Sequence, residues 1–413
     1  MAEAQAGGDG TPQARAASRR ATFALTWLAY ASYYIGRKGF SIVKVRLSGE
    51  LGLAAPSLAL IDTAYLVAYA LGQVPSGLTA DRAGPRRLIG YGMLASACAC
   101  AAFGSVSSFA LLMLAFACNG FAQSTGWPGT TRAMAEHTTP ADRGRVMGLW
   151  STCYQVGGIA ASALATWLLA HYGWRAAFRV PAVWLALVGA LILLRLADVR
   201  ANAAEPDASQ SADLHASRAL LSDPRVYGYG ACYFCLKLIR YSLLFWLPYY
   251  LHTVVGFDDV RSGYLSTSFE VGGVAGSIGL GYASDRVGRA RSVLAFASLL
   301  GLAAALLLYA RLGSASAGVH FAAMALVGAL LFGPDSLLSG AAAQDLGGTR
   351  AAATAVGMVN GMGSVGALLQ GALTIGVQQA FGWNALFYAF FGLALLGALC
   401  LAPTLRERRS LAF

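Results

Sequence analysis

Charge is what this sequence has least of. Only 12% of its 413 residues are Asp, Glu, Lys or Arg, against about 25% in an ordinary soluble protein, so there is too little polar surface to cover a soluble chain of this length. Acidic residues are the scarcer sign, with 19 Asp and Glu against 30 Lys and Arg. The five histidines are scattered, and no HExxH, GxSxG or cluster of His and Asp occurs, which argues against an enzyme, a metal site or a cofactor. The cysteines, Cys98, Cys100, Cys118, Cys153, Cys232, Cys235 and Cys400, lie in or beside apolar runs, where a free thiol behaves as a small buried hydrophobe. They suggest no disulfide framework, and the Cys232 and Cys235 CxxC lacks the second pair a zinc site needs. A cleavable leader is also not expected, because Met1 to Arg20 runs into an apolar segment too long for a signal-peptide core.

Apolar sequence fills the space that charge leaves. Hydrophobic residues make up 57% of the chain and mean hydropathy is +0.57, and at roughly 20 residues per crossing the length accommodates about twelve spans. The first six are expected near 22–45, 57–79, 88–106, 109–131, 145–170 and 176–196. The second six are expected near 226–251, 262–283, 291–311, 318–342, 351–378 and 384–403. Between them Ala201 to Asp223 has no apolar run and reads as a linker. The resulting organisation is a tail over 1–21, a six-helix bundle over 22–199, a linker over 200–223, a second bundle over 224–404 and a tail over 405–413. Basic residues recur between spans on alternate sides, about twenty on one side against about six on the other, which sets both termini in the cytoplasm. The net charge of +11 is therefore spread along membrane loops, not massed for nucleic acid. A multi-pass protein of the cell's inner (plasma) membrane follows, with a monomer as the default.

The chain repeats itself. Gly77, Asp81, Arg82, Gly84, Arg86 and Arg87 in GLTADRAGPRR are echoed by Gly281, Asp285, Arg286, Gly288, Arg289 and Arg291 in GYASDRVGRAR. Gly173 and Trp174 recur as Gly382 and Trp383, Pro128 as Pro334, and Arg37 as Arg240. A common offset near half the chain length points to duplicated six-helix halves in parallel orientation, related by an axis along the membrane normal.

Some charges fall where they are costly. Arg37 and Arg240 each sit roughly 22 to 26 Å along their helices from the inner surface, and an ionisable residue at such depth, at least about 2.5 kcal/mol uphill, is by default a functional one facing a cavity. The planar fork of guanidinium donors fits phosphate oxygens in a way a lysine does not. Snorkelling to the outer interface is the competing reading for both. Tyr30, Tyr33 and Tyr34 precede Arg37, and Tyr233 and Lys237 precede Arg240, at spacings that put much of each set on the arginine's face; packing or an aromatic belt would also account for the tyrosines. Lys38 points roughly 100° from Arg37 and either completes the site, pairs internally or reaches the surface. Glu270, flanked by glycines, needs a cation and is expected to pair with Arg240, Lys237 or Arg37 until substrate displaces it; proton coupling and a structural ion pair are its alternatives. Asp62 and Asp335 read as structural or gating residues near span ends.

The doubled GxxxDRxGxRR loop resembles the signature of the major facilitator superfamily. Within it, YYIGRKGFSIVKVRL, NGFAQSTGWPG and KLIRYSLLFWLPYYL resemble the organophosphate:phosphate antiporter family, in wording closest to its sugar-phosphate exchanger branch, over about residues 24 to 400. The resemblance implies an all-α major facilitator fold of twelve transmembrane helices in two pseudo-symmetric six-helix bundles. It also implies a phosphate site on Arg37 and Arg240, with Lys38 beside it, and exchange of a phosphorylated small molecule for inorganic phosphate as the halves rock. Two residues depart from the glycerol-3-phosphate carriers: Tyr154 stands where they have histidine and Lys237 where they have tyrosine, which implies a different organic portion or an extra positive charge in the site. A membrane sensor of sugar phosphates and a proton-coupled carrier of another organic anion remain the alternatives. Gly77, Asp81, Arg82 and Gly84, with Gly281, Asp285, Arg286 and Gly288, are expected to form the cytoplasmic gating loops.

Overall fold

In hydrocarbon every backbone N–H and C=O must find its partner within the segment, so long apolar runs become helices. The computed structural model describes residues 12–135, 146, 149–150, 152–197, 220, 222–287, 291–312 and 315–406. The helices are α1 (Pro12–Leu51), α2 (Ala55–Ala83), α3 (Pro85–Phe103), α4 (Phe109–Gln123), α5 (Gly126–Ala135), α6 (Thr152–Tyr172) and α7 (Ala176–Arg195). They continue as α8 (Pro224–Thr253), α9 (Asp259–Val287), α10 (Arg291–Tyr309), α11 (Ala317–Ser339), α12 (Ala341–Phe381) and α13 (Ala385–Arg406). Helices α4 and α5 make one crossing with a break at Ser124 and Thr125, which leaves twelve crossings among the described residues, as expected.

Nine stretches of the described residues are long and apolar enough to cross a membrane by length and composition. Of the remaining crossings, α1 carries Arg37, Lys38, Lys44 and Arg46, and α9 carries Glu270; their polar residues lower their hydropathy.

Two helices begin earlier than the apolar pattern indicates. α1 starts at Pro12, inside the stretch expected as a tail, because proline suits a first helical position and the Ala- and Arg-rich run after it has high helix propensity. α12 starts at Ala341 for the same compositional reason. Residues 200–219 of the expected linker and residues 407–413 lie outside the described residues.

Close backbone approach at glycines builds each half, and it does so twice in the same way. A Cβ on Gly157 of α6 would come within 2.7 Å of the Ala31 carbonyl oxygen of α1, and one on Gly366 of α12 within 2.3 Å of the Phe234 carbonyl oxygen of α8. Likewise Gly120 of α4 faces the Tyr65 carbonyl oxygen of α2 at 2.3 Å, and Gly328 of α11 faces that of Phe269 in α9 at 2.0 Å. Small residues at such crossings let helices pack in lipid without a hydrophobic driving force. The turns repeat as well: Gly173 and Gly382 hold φ of 77° and 83° after α6 and α12, a region that favours glycine. Trp174, just past the first, donates its indole N–H to Glu50 at 3.0 Å, and Trp383, past the second, packs against Trp246 and Tyr249.

Of the DRxG residues, Gly84 makes the expected tight turn with φ of 83° between α2 and α3. Gly77, Asp81 and Arg82 complete α2, and Gly281, Asp285 and Arg286 lie in α9. Gly288 and the side chains of Asp81, Arg82, Asp285 and Arg286 lie outside the described residues.

Candidate functional site

Arg37 is placed by what holds its neighbour. The Gly36 carbonyl accepts from Asn119 Nδ2 at 3.0 Å and from Cys100 Sγ at 3.3 Å, and Asn119 is itself bonded by Ser96 at 2.6 Å. This buried polar knot ties α1 to α3 and α4. A Cβ at Gly36 would fall 2.7 Å from the Leu185 side chain and 3.1 Å from Gln123 Nε2, so glycine eases the close packing there.

The two arginines are linked by a short aromatic bridge. The guanidinium carbon of Arg37 lies 3.8 Å from the Tyr34 ring centroid, Tyr34 stacks on Tyr154 of α6 with centroids 6.4 Å apart, and Tyr154 lies 5.5 Å from the guanidinium carbon of Arg240. Tyr154 thus carries the first half's surface to a residue of the second. Phe332 of α11 adds a further cation–π contact to Arg240 at 4.6 Å.

The arginines differ in their counter-ions. Arg240 Nη1 donates to Asp335 Oδ2 at 3.0 Å, whereas among the described residues Arg37 has no carboxylate within ion-pair distance; the buried Nε of each arginine has no hydrogen-bond partner. They are 7% and 8% exposed respectively, so snorkelling to an aqueous interface does not describe either. A buried cation without an anion is expensive, and Arg37 is the group that an incoming oxyanion would satisfy most.

Lys38 turns away from Arg37 across the seam between the halves. Its Nζ stands 2.7 Å from Glu270 Oε1 and donates to the Leu244 carbonyl at 3.0 Å. That carbonyl is free because residue 248, the usual i+4 donor, is proline. Two turns further along α1, fully buried Lys44 pairs with Asp62 of α2, donates to the Phe245 carbonyl at 3.0 Å and lies 3.7 Å from the Trp246 ring centroid. Arg46 then meets Asp259 at 2.5 Å across the seam. On the opposite wall Gln155 of α6 donates to Ser277 at 2.9 Å and to the Gly273 carbonyl at 3.2 Å. The halves are therefore bonded along α1 and α8 towards the α1–α2 connection.

Lys237 lies one turn of α8 before Arg240. Its Nζ donates to Ser364 of α12 at 3.3 Å and sits 5.0 Å from the Tyr233 ring centroid. Tyr233 packs against Gly363 of α12, where a Cβ would be 2.3 Å from its ring.

The expected site residues thus fall into four groups. Arg37, Tyr34, Tyr154 and Arg240 come together, Lys38 joins Glu270, and Lys237 and Tyr233 line the α8–α12 wall. Tyr33 turns into the first half, sharing a hydrogen bond of 2.9 Å with Thr125, and Tyr30 packs among Tyr34, Trp127 and Trp150, so these two support the wall. Glu270 takes Lys38 as its partner in place of the three cations expected from sequence. Asp335 and the Lys44–Asp62 pair went unrecognised as site-proximal. The Gly333 and Pro334 pair reads as a break near a span end, but α11 continues through it to Ser339 and so carries Asp335 to Arg240.

Comparison with known proteins bears on the family and the fold. The profile of the family described as Major Facilitator Superfamily matches residues 26–371 and 263–412. A protein named putative glycerol-3-phosphate transporter 2 from Arabidopsis thaliana is 32% identical, over 95% of this chain and 87% of its own length. Sugar phosphate exchanger 3 of Bos taurus is 30% identical, over 94% and 93%, and a zebrafish (Danio rerio) glucose-6-phosphate exchanger is 30% identical, over 92% and 90%. Among solved structures, an inward-facing, occupied bacterial homologue of the human lysosomal transporter Spinster superposes with a TM-score of 0.75 at 15% identity, covering 96% of this chain and 98% of that one, which shows the shared fold.

Proposed function

For a chain that belongs to the Major Facilitator Superfamily, we propose exchange of a phosphorylated small molecule for inorganic phosphate, with one site presented alternately to each side of the membrane. The observation that carries this reading is the unequal arginine pair: Arg37 has no carboxylate partner among the described residues, and Arg240 is held by a single aspartate that an anion can replace. Phosphate oxygens are the oxyanions best matched to two guanidinium forks on facing walls. The names of the relatives, exchangers of sugar phosphates and transporters of glycerol 3-phosphate, support the same class.

Exchange, in preference to one-way movement, follows from charge. An empty site that keeps excess positive charge in a low-dielectric setting crosses between states reluctantly, and a bound anion lowers that barrier. Residues 22–199 and 224–404 are the two moving halves in this reading and 200–223 is their tether. The cytoplasmic gate is built from helix ends as well as loops, with Gly77, Asp81 and Arg82 in the last turns of α2, Gly84 in the turn after it, Gly281, Asp285 and Arg286 in the last turns of α9 and Gly288 following it in sequence. Both termini lie in the cytoplasm, the membrane is the inner (plasma) membrane, and one copy suffices. The bonded seam near the α1–α2 connection is then the outer gate in its closed state. Purified protein in liposomes tests the reading: labelled phosphate uptake should require phosphate inside. Uptake into empty vesicles driven by a proton gradient would favour the proton-coupled carrier, and binding without any flux would favour the sensor.

A further inference from the structure

Two cations on the walls of the site have no carboxylate within ion-pair distance among the described residues, and they sit on different halves. Four basic side chains, Arg37, Lys38, Lys237 and Arg240, surround it, but only two are paired: Lys38 with Glu270 and Arg240 with Asp335. Arg37 is the first of the remaining pair, and the phosphate reading above already uses it. Lys237 is the second, and nothing in that reading requires it.

The setting of Lys237 is that of a cation awaiting an anion. It lies three residues before Arg240 on one helix, about 4.5 Å along the axis and on the same side of α8. Its protein hydrogen bond is to the Ser364 hydroxyl at 3.3 Å. That hydroxyl spends its own proton on the Asn360 carbonyl at 2.9 Å, so its remaining role towards the lysine is that of a neutral acceptor. An ammonium has three donors, and one neutral acceptor with the face of the Tyr233 ring 5.0 Å away leaves the charge only partly compensated. Lys237 is also less buried than Arg240, so of the two it is the more accessible cation. Gly363 lets Tyr233 and the Lys237 stem lie against α12: a Cβ there would stand 2.3 Å from Tyr233 and 3.1 Å from Cδ of Lys237.

We propose that Lys237, with Ser364 beside it, is a second anion subsite, and that the preferred organic substrate is a short phosphate ester bearing a further anionic group such as a carboxylate. The inference rests on the phosphate reading of Arg37 and Arg240 and adds the chemistry of the other end of the ligand. A lysine suits this end because a point charge on a flexible stem accepts a carboxylate without the planar match that the phosphate end requires.

The test compares two esters of one carbon skeleton, 3-phosphoglycerate, which ends in a carboxylate, and glycerol 3-phosphate, which ends in a hydroxyl. In phosphate-loaded proteoliposomes the unmodified protein should take up the acid with an apparent affinity about tenfold or more higher than the alcohol, the scale of one charge-assisted hydrogen bond. Lys237→Gln should erase that ratio and Lys237→Arg should keep most of it. Because the readout is a ratio within one preparation, poor yield of a variant does not imitate the result. Equal preference for the two esters in the unmodified protein, or an equal loss for both in Lys237→Gln, overturns the subsite and leaves Lys237 as a reserve partner for Asp335. Absence of phosphate self-exchange in the unmodified protein would instead overturn the phosphate reading itself, and the subsite with it.

Discussion

Lys38 and Glu270, on helices of opposite halves, meet at 2.7 Å with both side chains 3% exposed, so the seam between the halves is closed at its centre by an ion pair. Breaking a buried pair by removing one partner costs about 3 to 5 kcal/mol, mostly from the charge left behind. Glu270→Gln should therefore slow turnover by tenfold or more while changing the substrate concentration at half-maximal rate little, because the phosphate end of the site is untouched. Kinetics of phosphate exchange in liposomes measure both quantities. A normal maximal rate would remove the pair from the transport cycle. The double variant Lys38→Met with Glu270→Gln, which leaves no orphan charge, should be more thermally stable than either single one.

Arg37→Lys and Arg240→Lys keep the charge and lose the fork. Each loses bidentate contact with phosphate oxygens, and phosphate exchange should fall by about a hundredfold or more in either, the equivalent of about 3 kcal/mol. Arg37→Lys should leave thermal stability nearly unchanged, since Arg37 has no ion pair among the described residues to lose. Exchange at the unmodified rate in either variant would dismiss the two-arginine site.

Asp335 competes with substrate for Arg240, bonding it at 3.0 Å. Substrate must displace this carboxylate, so Asp335→Asn should tighten apparent phosphate binding about tenfold and slow its release, lowering maximal rate and half-saturating concentration together. Isothermal titration or scintillation proximity binding on detergent-solubilised protein gives the first quantity and exchange kinetics the second. Weaker phosphate binding in Asp335→Asn would mean that the carboxylate orients Arg240 for substrate and does not compete with it.

Arg46 and Asp259 face each other across the seam at 2.5 Å. With both replaced by cysteine in a background lacking the seven native ones, oxidation should arrest exchange, and reduction should restore it. Continued exchange with the cross-link complete would show that this end of the seam does not open during transport.

Much of the fold was legible because its signals are periodic. Apolar runs between basic loops gave the crossings, and the spacing of DRxG, Gly-Trp and Arg gave the duplication, since each reflects a constraint repeated along the chain. The arginines were legible for a different reason: a charge that deep in a span has few other uses. What sequence did not reveal was the choice of partners. Nothing along the chain says that Glu270 meets Lys38 in preference to Arg240, because that depends on how the halves lean. Asp335 was hidden by Pro334, which reads as the end of a helix although the helix runs through it. The role of Pro248 was equally hidden, because it acts through the Leu244 carbonyl it leaves for Lys38.

The matched glycine crossings bear on which parts can move. At Gly157 over Ala31, at Gly366 over Phe234, and at Gly120 and Gly328 in the other pairs, backbone rests on backbone with no side chain between to swing aside, so each crossing is stiff to shear. The seam has the opposite make-up, with lysine stems, an arginine and a glutamine reaching across to carbonyls and carboxylates that can be traded for others. Compliance is thus concentrated on one plane of the molecule, and the same four glycines that make the bundles hard leave that plane as the place where a rocking motion meets least resistance.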